Sequence, residues 1–306
     1  MECRFEQIWF DYRPHHHHTP SCQFFRKEYP VPNSNPLIRH ITEINTSGRV
    51  ALCGYFLTGY QSPETFFSCI RSLSCIDVFE FGIPAENSPL DGPVIADTHS
   101  RVTDRPGLNS ETALSLLGGL QDTVQPRVVM TYAKEGRELD GFIRLCVHNG
   151  IHGILVPDLS IEEATRAAYL TSSMNLSFIG FIHDDMDADA VARTVSLCDI
   201  VCLKVSPGPT GQKGEFSHAC LESMRQRISF IRTCKHNLII AAGIGIQTAD
   251  QIRLLARFDF NMVVVGTMLM KKLETGYDSL QEYTRQLHES TFRPRAPSDT
   301  ESSFTV

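Results

Sequence analysis

A carboxylate in the middle of an apolar strand is the first residue in this chain that asks for a chemical explanation. Glu80 stands in IDVFEFGIP, residues 76–84, between Phe79 and Phe81. Period-two alternation puts Val78, Glu80 and Gly82 on one face and the two phenylalanines on the other. If the Glu80 face lines an enclosed mouth, desolvation raises the carboxyl pKa, which suits a group that must both give and take a proton near neutral pH. The structural alternative is an ion pair with a Lys or Arg elsewhere in the fold. A second carboxyl, Asp91, lies in the loop PAENSPLDGPVI, residues 84–95, within reach of the same cavity; Asp-Gly is also a common turn dipeptide.

Glycines mark a different chemistry later in the chain. AAGIGIQTADQ carries Gly243 and Gly245, and VVVGTMLM carries Gly266 and Thr267, each at the end of an apolar run. Backbone N–H groups come closest to a phosphate where no Cβ intervenes, so the two places together suggest a phosphate cradle. Between them, SPGPTGQKGEF (206–216) has the composition of a lid, with Thr210 and Gly211 as ligand contacts; an inert loop has the same composition. Lys204 precedes it, and a desolvated lysine there could form a Schiff base with a carbonyl substrate or pair with a carboxylate such as Glu80 or Asp158.

The elements that must position these residues form a repeating pattern. Strand-like runs are expected at 50–57, 77–83, 127–132, 153–157, 176–182, 200–205, 238–242 and 262–265. Helical segments are expected at 63–73, 139–148, 161–174, 188–197, 220–234, 248–257 and 279–288, with one more near 36–46. Ser160 followed by Glu163 is a capping-box spacing that fixes one helix start. The strands are short, continuously apolar and rich in Val, Ile and Leu, as parallel strands buried on both faces must be. Eight strand–helix repeats predict a (β/α)8 TIM barrel, in which active residues sit at the C-terminal ends of strands and in the loops that follow. An open doubly wound sheet is the alternative, weakened by the absence of G-x-G-x-x-G after the first strand. The expected organisation is an irregular N-terminal extension over 1–45, a single barrel domain over 46–288 and a polar C-terminal tail over 289–306.

Composition sets bounds. The 306 residues are 42% hydrophobic with a formal net charge of -7, enough apolar content for a sizeable core and the wrong sign for a general nucleic-acid binder. No apolar run approaches the ~18 residues of a membrane span, and the first residues lack a signal-peptide core, so a cytoplasmic location is expected. The ten cysteines show no C-x-x-C and fall mostly in apolar runs, where Cys acts as a small hydrophobe. The run His15–His18 lies in a segment without periodicity and is assigned no role.

Taken together, these motifs resemble the tryptophan synthase alpha subunit family from about residue 50 to residue 273. EFGIPAENSPLDGPVI resembles the family's E-L-G-x-P-F-S-D-P-x-A-D-G-P-x-I without a gap, and GYFLTGYQSPE resembles its first-strand P-Y-x-T-x-G-D-P. MTYA, GILVPDLSIEEA, GPTG, GIGIQTADQI and VVVGT follow in the family's order. The resemblance implies a lyase of tryptophan biosynthesis that cleaves indole-3-glycerol phosphate to indole and glyceraldehyde 3-phosphate without metal or cofactor. By position Glu80 matches the general acid/base and Asp91 the carboxylate that holds the indole N–H. Tyr132 matches a tyrosine at the mouth and Tyr55 an aromatic beside the substrate. Gly211, Gly245, Gly266 and Thr267 match phosphate contacts, Thr267 replacing the usual Ser, with Thr210 and Gly243 from the loop and strand-end readings beside them.

The chain departs from the family pattern where the resemblance implies a β-type partner subunit. Glu86, Asn87 and Ser88 replace Ser-Asp-Pro, in the loop that in the family meets the β subunit. Leu57 and Tyr60 replace Thr and Asp near strand 1, and the segment from Ala133 is about two residues short. Both carboxylates are retained while that surface differs, which fits a lyase acting alone or a paralogue. Two further readings are a barrel enzyme acting on another phosphorylated substrate, through Lys204, and a catalytically weak partner that regulates another subunit.

Overall fold

The computed structural model describes residues 35–105, 107–134, 138–205 and 216–294. Eight parallel strands, β1 (Ala51–Leu57), β2 (Val78–Gly82), β3 (Arg127–Met130), β4 (Gly153–Leu155), β5 (Ser177–Ile182), β6 (Ile200–Lys204), β7 (Ile239–Gly243) and β8 (Met262–Val265), close into a barrel in sequence order, β8 pairing back to β1. Every one falls within two residues of its expected place. A (β/α)8 barrel is therefore the fold, and the open sheet is excluded.

Helices fill the connections: α1 (Pro36–Thr46), α2 (Pro63–Ser72), α3 (Pro93–Thr103), α4 (Ser110–Gly118), α5 (Leu139–His148), α6 (Ile161–Ser173), α7 (Ala188–Leu197), α8 (His218–Cys234), α9 (Ala249–Leu255), α10 (Thr267–Thr275) and α11 (Tyr277–Glu289). The start of α6 uses the expected box: Ser160 accepts from the Glu163 N–H, and the Glu163 carboxylate accepts from the Ser160 N–H at 2.8 Å. The expected loop 84–95 is shorter than the sequence suggested. Pro93 is the first helical residue of α3, where its missing N–H costs nothing, so the loop ends at Gly92.

Alternation on β2 works as read from the sequence. Phe79 and Phe81 turn outward and stack at 5.8 Å, and Phe81 meets Phe66 of α2 at 5.7 Å. Full burial of such side chains contributes about 1.5–3 kcal/mol each. That packing holds β2 in a register where Tyr55, Glu80 and Val128 lie side by side on neighbouring strands.

The opposite, N-terminal end of the barrel is closed by α1. Leu37, Ile41 and Ile44, spaced at helical intervals, are its buried face, and the Asn35 amide donates to His152 and Asn175 carbonyls at 3.1 and 2.8 Å. After α11 the chain returns here: the Val50 N–H donates to the Thr291 carbonyl at 2.9 Å and Arg293 to Gly48. His15–His18 lie outside the described residues. The eight described cysteines are free thiols, five of them buried. Among the described residues, no helix is long and apolar enough to cross a membrane.

Candidate active site

A pocket opens at the C-terminal end of the barrel, and Glu80 is on its floor. Tyr55, Glu80, Asp91, Gly243, Gly245, Gly266 and Thr267 all line it, with Met130, Leu155, Phe181 and Val264 supplying apolar wall. Glu80 is buried, and among the described residues it has neither an ion pair nor a hydrogen bond. Burial, reinforced by the charge of Asp91, raises its carboxyl pKa from the ordinary 4.5 to about 7. A carboxyl without a counter-ion, poised near neutral pH, can act as acid and as base. Among the described residues the ion-pair alternative for Glu80 finds no basic partner.

Asp91 closes one side of the pocket. The loop after β2 carries it over the mouth, and a turn bond from the Asp91 N–H to the Ser88 carbonyl at 3.0 Å shapes the approach. The Tyr132 hydroxyl, just beyond β3, donates to Asp91 Oδ2 at 2.9 Å. Burial, followed by the charge of Asp91, holds the Tyr132 phenol well above its usual range, so it stays a donor. Tyr132 thus sits behind Asp91 and is not among the residues lining the pocket. Tyr55 faces the cavity beside Glu80, and burial likewise pushes its phenol up.

Tyr55 owes its place to a glycine. A Cβ on Gly82 would overlap the Tyr55 hydroxyl. Gly82→Ala is therefore expected to displace the ring and cost about 1–3 kcal/mol, as overpacking of cores does. Urea unfolding of the variant measures that loss, and an unchanged midpoint would mean the ring yields freely.

At the far end of the pocket, Ile244 and Gly245 are consecutive residues with positive φ, 62° and 93°. Glycine adopts that conformation without penalty, whereas a β-branched residue is strained in it, so the backbone here is held curled against its own preference. The next strand ends at Gly266, where α10 begins, and the first N–H groups of any helix lack intrahelical partners. A curled, glycine-bearing turn and a helix start with unpartnered intrahelical donors thus face one space, the arrangement that suits an anion such as phosphate. Thr210 and Gly211 fall outside the described residues.

Lys204 is an ion-pair partner, as one of its two readings expected, but of a different carboxylate. Its ammonium lies 2.7 Å from Asp184 Oδ2, a residue of the loop after β5, and not against Glu80 or Asp158. Arg227 of α8 approaches the same carboxylate at 3.5 Å. Asp158 instead accepts from the Ala133 N–H at 2.8 Å. Lys204 does not line the pocket.

One residue of the site escaped the sequence reading. His99, on α3, is buried, and its ring nitrogens contact Ala85, Asp91 and Tyr55. The signal was present: Ile95, Thr98, His99 and Val102 form the buried stripe of α3 at helical spacing. It was hidden because the segment after 95 carries too few apolar residues to announce a helix.

Comparison with known proteins identifies the family and supports the fold. A family model described as tryptophan synthase alpha chain matches residues 41–296. Among individual relatives, the tryptophan synthase alpha chain of Bacillus pumilus is 29% identical over 74% of this chain and 84% of its own. That of Methanosarcina acetivorans is 27% identical over 80% of this chain and 90% of its own. A solved structure of Mycobacterium tuberculosis tryptophan synthase superposes with a TM-score of 0.75 at 22% identity, covering 84% of this chain and 98% of that one. The tryptophan synthase subunit alpha of Legionella pneumophila gives 0.72 at 19% identity, over 84% and 98%.

Proposed function

The chain belongs to the tryptophan synthase alpha chain family, and from that membership we propose that it cleaves indole-3-glycerol phosphate to indole and glyceraldehyde 3-phosphate. Glu80 is the general acid and base, and Asp91 accepts the indole N–H. The phosphate is held by backbone donors around Gly245 and Gly266, with Gly243 and Thr267 beside them and Thr210 and Gly211 as the remaining contacts. The observation that carries this reading is Glu80 itself: buried, without a counter-ion among the described residues, poised near pH 7 and sharing a pocket with a second carboxylate.

The chemistry asks for little more. A proton is added at indole C3, the glycerol hydroxyl next to the scissile bond loses its proton, and the C–C electron pair passes into the ring. The aldehyde departs, and the hydroxyl proton balances the one delivered to C3. One carboxyl that gives and then takes a proton satisfies both steps, and Asp91 offsets the positive charge that C3 protonation places on the ring nitrogen. The apolar wall from Met130, Leu155 and Phe181 suits a flat aromatic ring.

The purified chain, mixed alone with indole-3-glycerol phosphate, is the direct test. Release of indole establishes a lyase that needs no partner. Release only after a β-type subunit is added establishes a dependent one, and no release in either case removes the assignment. The Schiff-base alternative has lost its observation, since Lys204 is committed to Asp184. Borohydride added during turnover is expected to leave the protein mass unchanged. A stable adduct on Lys204 would restore the imine reading.

A further inference from the structure

We propose that His99 is a positioning residue: a single imidazole, with its proton fixed on Nε2, clamps both ends of the loop that carries Asp91 and leaves one Asp91 oxygen free for the substrate.

The tautomer follows from the partners. The Ala85 N–H donates to His99 Nδ1 at 3.0 Å. A backbone amide can only donate, so Nδ1 is the accepting nitrogen and the neutral ring carries its proton on Nε2. Nε2 lies 3.4 Å from Asp91 Oδ2 and 3.4 Å from the Tyr55 hydroxyl. The carboxylate is the stronger acceptor of the two, so the Nε2 proton is directed to Asp91. Oδ2 accepts from the Tyr132 hydroxyl at 2.9 Å and has the imidazole Nε2 3.4 Å away, so the two groups approach the same oxygen. Among the described residues Oδ1 has no partner, although the carboxylate is largely buried at 12% side-chain exposure. Two donors converging on one oxygen fix the rotation of the group and present the other.

The placement of the ring gives this pairing its consequence. Ala85 begins the loop after β2 and Asp91 nearly ends it, so one side chain ties the two ends together from a third element. That element is firm, because α3 starts at Pro93 and its face, including Ile95 and Val102, is buried. Without the imidazole donor, Asp91 would hang from Tyr132 alone and could turn its free oxygen away from the pocket.

The inference rests on the assignment of Asp91 as acceptor for the indole N–H, and two amide substitutions divide it. In His99→Asn the amide oxygen falls near the place of Nδ1 and keeps the Ala85 bond, but nothing reaches Asp91. In His99→Gln the amide nitrogen reaches the place of Nε2 and donates to Asp91, while Ala85 is left unserved. In the full chain, His99→Asn is expected to lower kcat for indole release about tenfold with little change in melting temperature, and His99→Gln to recover most of it. A purely structural histidine would give the opposite order or lower both through stability alone.

Nitrogen-15 NMR of the imidazole supplies a readout independent of turnover. The expected spectrum shows the proton on Nε2, with an Nε2 resonance that moves when Asp91 is replaced by Asn. A proton on Nδ1, or wild-type kcat in His99→Asn, overturns the proposal. If the wild type releases no indole under any condition, the functional reading fails while the tautomer measurement still decides the role of His99.

Discussion

Glu80→Gln is expected to fold as a barrel and to release indole about 10²–10⁴ times more slowly than the wild type, the range that a positioned acid/base group contributes. Glutamine keeps the shape and the polarity of the side chain and removes only its ability to exchange a proton. Because Glu80 makes no ion pair among the described residues, its replacement breaks no structural partnership, and the loss cannot be attributed to one. Single-turnover kinetics with saturating indole-3-glycerol phosphate would place the defect in the chemical step, with KM nearly unchanged. A variant that retained full turnover would remove Glu80 from the mechanism and leave Asp91 as the only carboxylate among the described residues lining the pocket.

That expectation was legible in the sequence because Glu80 broke a pattern that everything around it obeyed. The same regularity made the barrel legible: strands buried on both faces read as uninterrupted Val, Ile and Leu runs, and eight of them separated by helices leave few architectures. The closed order then brings the ends of β1, β2, β7 and β8 to one mouth, which is why Tyr55, Glu80, Gly243 and Gly266 meet despite their separation in sequence.

What stayed hidden was hidden for identifiable reasons. Helix α3 completes its buried face with Thr98 and His99 in place of apolar residues, so periodicity gave no sign of it. Helix α10 follows β8 directly at Gly266, with no side-chain cap to mark its start. The partner of Lys204 comes from the neighbouring strand's loop, a choice that depends on side-chain reach and not on sequence distance. Chemistry could thus be read where a residue type violated its element, and was missed where the element itself was disguised.

The pKa of Glu80 also carries a stability cost that a second experiment should expose. A buried acid whose pKa rises on folding, from the ordinary 4.5 to about 7, binds its proton more tightly in the native state than in the unfolded chain. Below pH 4.5 both states are protonated and the contribution is complete. Between those values the unfolded chain gives up the proton first, so stability falls as pH rises, and the loss is complete above pH 7. At 1.36 kcal/mol per tenfold change in proton affinity, the total is about 3 kcal/mol. Glutamine does not titrate, so the stability of Glu80→Gln relative to wild type is expected to rise by about that amount between pH 4 and pH 8. Urea unfolding of both proteins across this range measures the difference, and every titrating group away from the pocket cancels in it. A flat difference would mean that Glu80 is solvated and unperturbed, and would remove the physical basis for its acid/base role. Because Asp91 is the second cause of the shift, Asp91→Asn should lower the Glu80 pKa and shorten the pH span over which stability is lost. The proton that makes the site reactive near neutral pH is then the same one that makes the fold less stable there, as expected where a reactive group is held in a destabilising place.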